Sequence, residues 1–199
     1  MKYQWHSYSN IESKKYTCGY CGQPLSSDKG YVAKVFSDSG ADIRKTGYIC
    51  ICHNCSKPTF IDENNRQTPG HNFGNDVKHI DNQDIKSLYE EARKCYSVNS
   101  FTSVILSCRK LLMHIAVEKG AGENLKFIQY VEYLSEKNYI PPDAKGWVDH
   151  IREKGNEANH EIVIMKEEDA KDLLAFIEML LKLVYEFPSN IKQKTNTQK

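Results

Sequence analysis

Two Cys-x2-Cys pairs, Cys18 with Cys21 and Cys52 with Cys55, are the residues in this chain whose type and spacing best suit chemistry. Thirty residues separate the pairs. Each presents two thiolates from a tight turn, with Gly19 and Gly22 relaxing the backbone at the first, and four thiolates at about 2.3 Å satisfy tetrahedral zinc. Two such turns facing each other make a closed site, so the expected cofactor is a structural zinc without an open catalytic position. Cys50 and His53 are the competing donors, one two residues before Cys52 and the other inside the second pair. On a strand Cys50 and Cys52 point to the same face, which suits Cys50 to packing beneath the metal, and the ligand set is read as four.

A second constellation lies in WVDHIREKGNEANH, residues 147–160. On an ideal helix Trp147, Ile151, Ala158 and Ile162 share a core-facing stripe, while Arg152, Asn156 and His160 follow at i, i+4 and i+8. Each step drifts by roughly 40°, so the three form a polar row beside the core face. The row holds groups that metal-free RNA cleavage needs: an imidazole to take the 2′-hydroxyl proton, a guanidinium for charge on the phosphate, and an amide to hold geometry. Arg152 and His160 are about 12 Å apart along the axis and Asn156 and His160 about 6 Å, so Arg152 must reach in or act across a dimer interface. The same residues also suit a structural role, with Asn156 capping backbone at a Gly-Asn break and His160 bonding a neighbouring helix. Asp149, Glu153, Glu157 and Glu161 flank the row and repel a phosphate backbone unless turned away. Arg109 and His114 (RKLLMH) are separated by about 140° on a helix, and their neighbours are core-like, so the pair is set aside.

Two kinds of element must position these residues. Around the cysteines, YVAKVF (31–36) and GYICIC (47–52) alternate like strands about the turn-rich SDSGAD, a β-hairpin or small meander with the layout of a zinc ribbon. Residues 62–80 are polar and rich in Gly, Asn and Asp, and read as a linker in which His71 and His79 are solvated. From Asp81 the period becomes helical, with helices expected at about 82–98, 100–119, 124–138, from Pro141 towards Asn159, and from about Lys166 to just before Pro188. Residues 189–199 read as a disordered tail. The expected organisation is thus α+β in two parts, a small β zinc ribbon with its N-terminal extension over 1–61 and an all-α bundle over 81–188.

Composition bounds the function. The chain has 199 residues, 27 Lys and Arg against 26 Asp and Glu, and seven cysteines. Its mean hydropathy of −0.62 and short apolar runs exclude a membrane span. The first ten residues offer no signal-peptide core, so the chain reads as intracellular and cytoplasmic, where clustered cysteines serve as metal ligands rather than disulfides. Cys95 and Cys108, on helical segments, read as core thiols. Near-neutral charge excludes a strongly basic nucleic-acid binder.

The stretches RKLLMHIAVEKG (109–120), IREKGNEANH (151–160) and EEDAKDLLAFIEMLLKLVYEFP (167–188) resemble domain-of-unknown-function family 4145. That family is placed in the HEPN-like superfamily of helical bundles and is also found fused to restriction-enzyme subunits. The resemblance is carried mainly by Gly155-Asn156 to His160. It implies a dimeric, metal-independent endoribonuclease of toxin–antitoxin, CRISPR or phage-defence systems, with a composite site built on Arg152, Asn156 and His160. The superfamily motif is Arg-x4–6-His, whereas here seven residues separate Arg152 from His160. Other members of the superfamily serve as binding or assembly modules. Two readings therefore stand: a defence ribonuclease acting on RNA as a homodimer, or a non-catalytic module that binds nucleic acid or docks on a restriction or defence complex.

Overall fold

A computed structural model describes residues 4–141, 146, 149 and 165–197. It divides into two compact units, Met1–Asn72 and Phe73–Lys199.

The first unit is a five-stranded antiparallel meander, β1 (Ser9–Thr17), β2 (Pro24–Phe36), β3 (Asp42–Ile51), β4 (Pro58–Asp62) and β5 (Gln67–Thr68), in sequence order across the sheet. The expected hairpin is its centre, β2 and β3. Alternation divides the side chains between two faces: Val32, Tyr48 and Ile61 lie opposite one another in register and, with Ile11, Cys50 and Tyr16, form a small core on one face. β1 is not legible as a strand in the sequence, because SNIESKKYT carries one buried apolar residue, Ile11, among polar ones. An edge strand needs little more, since one neighbour supplies its backbone hydrogen bonds.

Residues 62–80 are not a linker. The segment ends β4, contains β5, and then sends Val77 and Ile80 into the core of the second unit with Phe73 packed against them. Polar side chains of the helices hold its backbone. Arg93 donates to the carbonyls of Phe73 and Gly74 (3.0 and 2.9 Å), Tyr89 donates to that of Asn75 (2.9 Å), and Glu178 and Glu186 accept from the N–H groups of Asn75 and Lys78 (both 2.8 Å). A polar segment thereby becomes ordered chain, because partners distant in sequence satisfy its hydrogen bonds.

In the second unit α1 (Gln83–Ser97), α2 (Phe101–Glu118) and α3 (Phe127–Glu136) are followed by α4 (Glu167–Leu181). α2 is central, burying Val104, Ile105, Cys108, Leu111, Leu112, Ile115 and Ala116 against α1, α3 and α4. Asn82 caps α1 by accepting from the N–H groups of Asp84 and Ile85. α1, α2 and α3 each stop at a left-handed residue, Asn99, Gly120 and Asn138, followed by the paired 6→1 and 5→2 bonds of a Schellman motif, as in Ala121 N–H to Ala116 and Gly120 N–H to Val117. The helix expected to stop before Pro188 instead continues: a π-turn over Lys182–Glu186 leads into α5 (Phe187–Thr197), which takes up most of the segment expected to be disordered. The Phe187 N–H reaches back five residues to the Lys182 carbonyl. That wider turn shifts the hydrogen-bond ladder just where Pro188 has no N–H to contribute.

The expected fourth helix falls almost wholly outside the described residues, and Trp147, Arg152, Asn156 and His160 lie there with it.

Candidate metal centre

The two cysteine pairs occupy the β1–β2 and β3–β4 turns, and the meander brings those turns to the same end of the sheet. Their backbones follow one pattern. In the first, the Cys18 N–H donates to the Gln23 carbonyl (3.0 Å) and the Gly22 N–H to the Cys18 carbonyl (2.8 Å). In the second, the Cys52 N–H donates to Lys57 (3.0 Å) and the Ser56 N–H to Cys52 (2.8 Å). Gly22 and Ser56, each four residues after the first cysteine of its pair, both take positive φ (69° and 57°). The turns are structural duplicates despite their different sequences, and the serine stands where glycine would be least strained.

Cys18 Sγ lies 3.7 Å from Cys55 Sγ, and Cys21 Sγ lies 3.7 Å from Cys52 Sγ. All four sulfurs fall within 4.8 Å of one another. A tetrahedron of thiolates about 2.3 Å from zinc has edges of about 3.8 Å, so the cluster fits a zinc ion, and the sheet that carries it fits a zinc ribbon. Among the described residues this is the one group of His, Cys, Asp or Glu able to hold a metal.

The electrostatics are uneven around the cluster. Burial pushes the Cys18 thiol up, and Cys55 up to about 12. Burial acts the same way on Cys21, but hydrogen bonds from the Asn54 amide (3.5 Å), the Gln23 backbone and the neighbouring thiols outweigh it and bring that group down to about 6. Metal binding at such a site releases protons, because the ligands are thiolates.

Cys50 and His53 stay out of the ligand set. Cys50 is fully buried among Ile11, Tyr48 and Ile61, with its thiol pushed up by burial, and His53 is exposed beside the second turn. Two supporting features are hidden from a linear reading. Asn54, the donor to Cys21, sits at an unremarkable x position of the second pair. Gly19 is required less for freedom of turn than for space, since a Cβ there would lie 2.3 Å from the Gly70 carbonyl oxygen and 2.6 Å from that of Pro69. The Gly19–Gly70 approach joins positions far apart in sequence, though the Pro69-Gly70 dipeptide hints at it.

In the helical unit the Arg109 guanidinium stacks over the Phe127 ring at 4.1 Å, whereas His114 is exposed in a groove beside Asn82, Asp84 and Glu91. They do not form one site. Cys108 is a buried core thiol and Cys95 packs against the same core.

The fold and the site together define an α+β chain, an antiparallel sheet carrying a candidate four-cysteine metal centre followed by helices. Residues 90–198 match the model of a family described as Domain of unknown function (DUF4145), and the chain belongs to that family. No curated protein and no solved structure matches it. Among the described residues no helix is long and apolar enough to cross a membrane.

Proposed function

We propose that this chain is an RNA-acting protein of bacterial or phage-related defence, in which a zinc ribbon serves recognition and a HEPN-like helical bundle, paired as a homodimer, cleaves RNA without a metal. The observation that carries the reading is the closed ligand set. Four cysteines fill a tetrahedral zinc, leaving it no position for water or substrate, so its role is to hold the ribbon together. The chemistry then belongs to side chains of the helical part, where Arg152, Asn156 and His160 provide a cation for the phosphate, an amide for orientation and an imidazole for the 2′-hydroxyl proton.

The charge of the helical part supports a second reading, a non-catalytic assembly module of a restriction or defence complex. Residues 81–199 hold 17 Lys and Arg against 19 Asp and Glu, a balance that attracts polyanions weakly. The test is incubation of the purified, zinc-containing protein with total cellular RNA and tRNA, with EDTA present to remove free divalent ions, comparing wild type with His160→Ala and Arg152→Ala. Cleavage lost in both variants establishes the ribonuclease. Absence of cleavage by folded, dimeric wild type overturns it in favour of the module.

A further inference from the structure

The four sulfurs of the metal centre are not equally placed. Cys21 is the one exposed cysteine of the chain's seven, Cys55 is half-buried, and Cys18 and Cys52 are fully buried. The 3.7 Å contacts run between the turns, Cys21 Sγ to Cys52 Sγ and Cys18 Sγ to Cys55 Sγ, so each matches a more open thiol with a buried one. This follows from the duplicate turns, since the second cysteine of each meets the first cysteine of the other. The remaining thiols stand apart. Cys50 is buried in the core of the sheet unit, and Cys95 and Cys108 belong to the helical unit.

A thiolate, not a thiol, reacts with peroxides, and a thiol that ligates zinc is deprotonated. Every ligand of a loaded centre is therefore chemically competent, and access selects among them. Cys21 is the ligand that a small oxidant in solvent reaches. Cys52 lies 3.7 Å away, close enough to resolve the product before further oxidation. Asn54 bears on the same atom, its amide donating to Cys21 Sγ at 3.5 Å. A hydrogen bond to a thiolate draws charge from the sulfur and lowers its nucleophilicity, so Asn54 slows the attack.

We propose that the metal centre is a peroxide-sensitive switch in which cross-turn disulfides replace the metal as the tie between the two turns. The inference rests on the zinc part of the proposed function and adds a condition under which the ribbon changes state. The Cys21 thiolate attacks an oxygen of hydrogen peroxide, the O–O bond breaks, and Cys21 becomes a sulfenic acid as one hydroxide leaves. The Cys52 thiolate then attacks the Cys21 sulfur, the S–S bond forms, the S–O bond breaks, and a second hydroxide leaves. The peroxide takes up two electrons, one from each sulfur, and a dithiol reductant returns them. Cys18 and Cys55 are then too few to retain the metal, and a second peroxide joins them in the same way. Each disulfide closes between the β1–β2 and β3–β4 turns, so the turns stay together after the metal is lost.

The experiment takes the full-length zinc-loaded chain, its zinc content measured first, adds hydrogen peroxide, and follows zinc release with a chromophoric chelator. Trypsin cleavage after Lys29 and Lys45 then puts the two cysteine pairs on separate peptides, which only cross-turn disulfides join in a non-reducing mass map. Zinc should be released as the peptides become joined, with fragmentation assigning Cys21 to Cys52 and leaving Cys50 a free thiol. Dithiothreitol and zinc should restore the starting state. The tertiary aromatic signal of the sheet unit should persist in the oxidised chain, whereas chelation alone abolishes it. Asn54→Ala should release zinc roughly 2- to 10-fold faster, the factor of one hydrogen bond. Release no faster in that variant overturns Cys21 as the sulfur attacked. Zinc retained under excess peroxide, disulfides inside each turn or to Cys50, or Cys21 carried to the sulfinic acid without a disulfide overturns the switch while leaving the zinc centre. A loaded chain that holds no zinc overturns this inference and the zinc part of the proposed function together.

Discussion

At the scale of single residues, the candidate metal centre depends on atoms the four ligands do not supply. Gly19 is the sharpest case. Its missing Cβ leaves room for two backbone carbonyls that cannot swing aside as a flexible side chain would. Gly19→Ala should therefore cost about 1–3 kcal/mol of stability in the sheet unit and loosen metal retention, as read by chelator competition and thermal melting. Glu178 is the counterpart in the helical unit. Burial works to raise its carboxyl, but hydrogen bonds from Lys182 and from the side chain and backbone of Asn75, with the Lys182 charge, hold it below the ordinary value of 4.5. A carboxylate lowered by folding contributes stability that is present above its unfolded value and lost as pH falls through the folded one. Glu118, held down against its own burial by Lys119, Tyr185 and Asn82, has the same sign. The urea midpoint of the helical unit should thus fall as pH drops below about 4.5, and Glu178→Gln should flatten that dependence while lowering stability at pH 7.

At the scale of elements, α2 separates what an apolar helix says from what its neighbours decide. FTSVILSCRKLLMHIAVE is hydrophobic on several sides, as a helix surrounded by others must be. Leu112 is fully buried, yet Leu106 on the same helix is 40% exposed. Leu112→Ala should cost about 2–5 kcal/mol, from apolar surface no longer buried and the cavity left behind. Leu106→Ala should stay within about 0.5 kcal/mol. Paired denaturation curves distinguish the two. The π-turn at Lys182–Glu186 makes a related point, because it carries the helix past a proline that would stop an ordinary α-helix.

At the scale of the whole molecule, two compact units hold themselves together by different means. The sheet unit has a core of few buried residues and four clustered cysteines able to hold a metal, whereas the helical unit has an extended apolar interior. Stripping the metal should abolish the tertiary aromatic signal of the sheet unit and leave the helical circular dichroism at 222 nm nearly unchanged. Loss of both signals together would show that the helices need the sheet unit.

The linear sequence by itself determined which four cysteines cluster, because Cys-x2-Cys turns are local and their pattern needs no distant partner to be recognised. It also determined the helix limits over 82–138 to within a few residues, since caps and left-handed stops act over four or five positions, and the change from a period of two to one of 3.6 between the units. Tertiary structure alone decided the fate of residues 73–78, whose polar backbone is ordered by Arg93, Glu178 and Glu186 farther along the chain. It alone decided that Asn54 tunes Cys21, that Gly19 makes room for Gly70, and which face of the sheet is open. Each of these joins groups across tens of residues, and no local pattern encodes the register that brings them together.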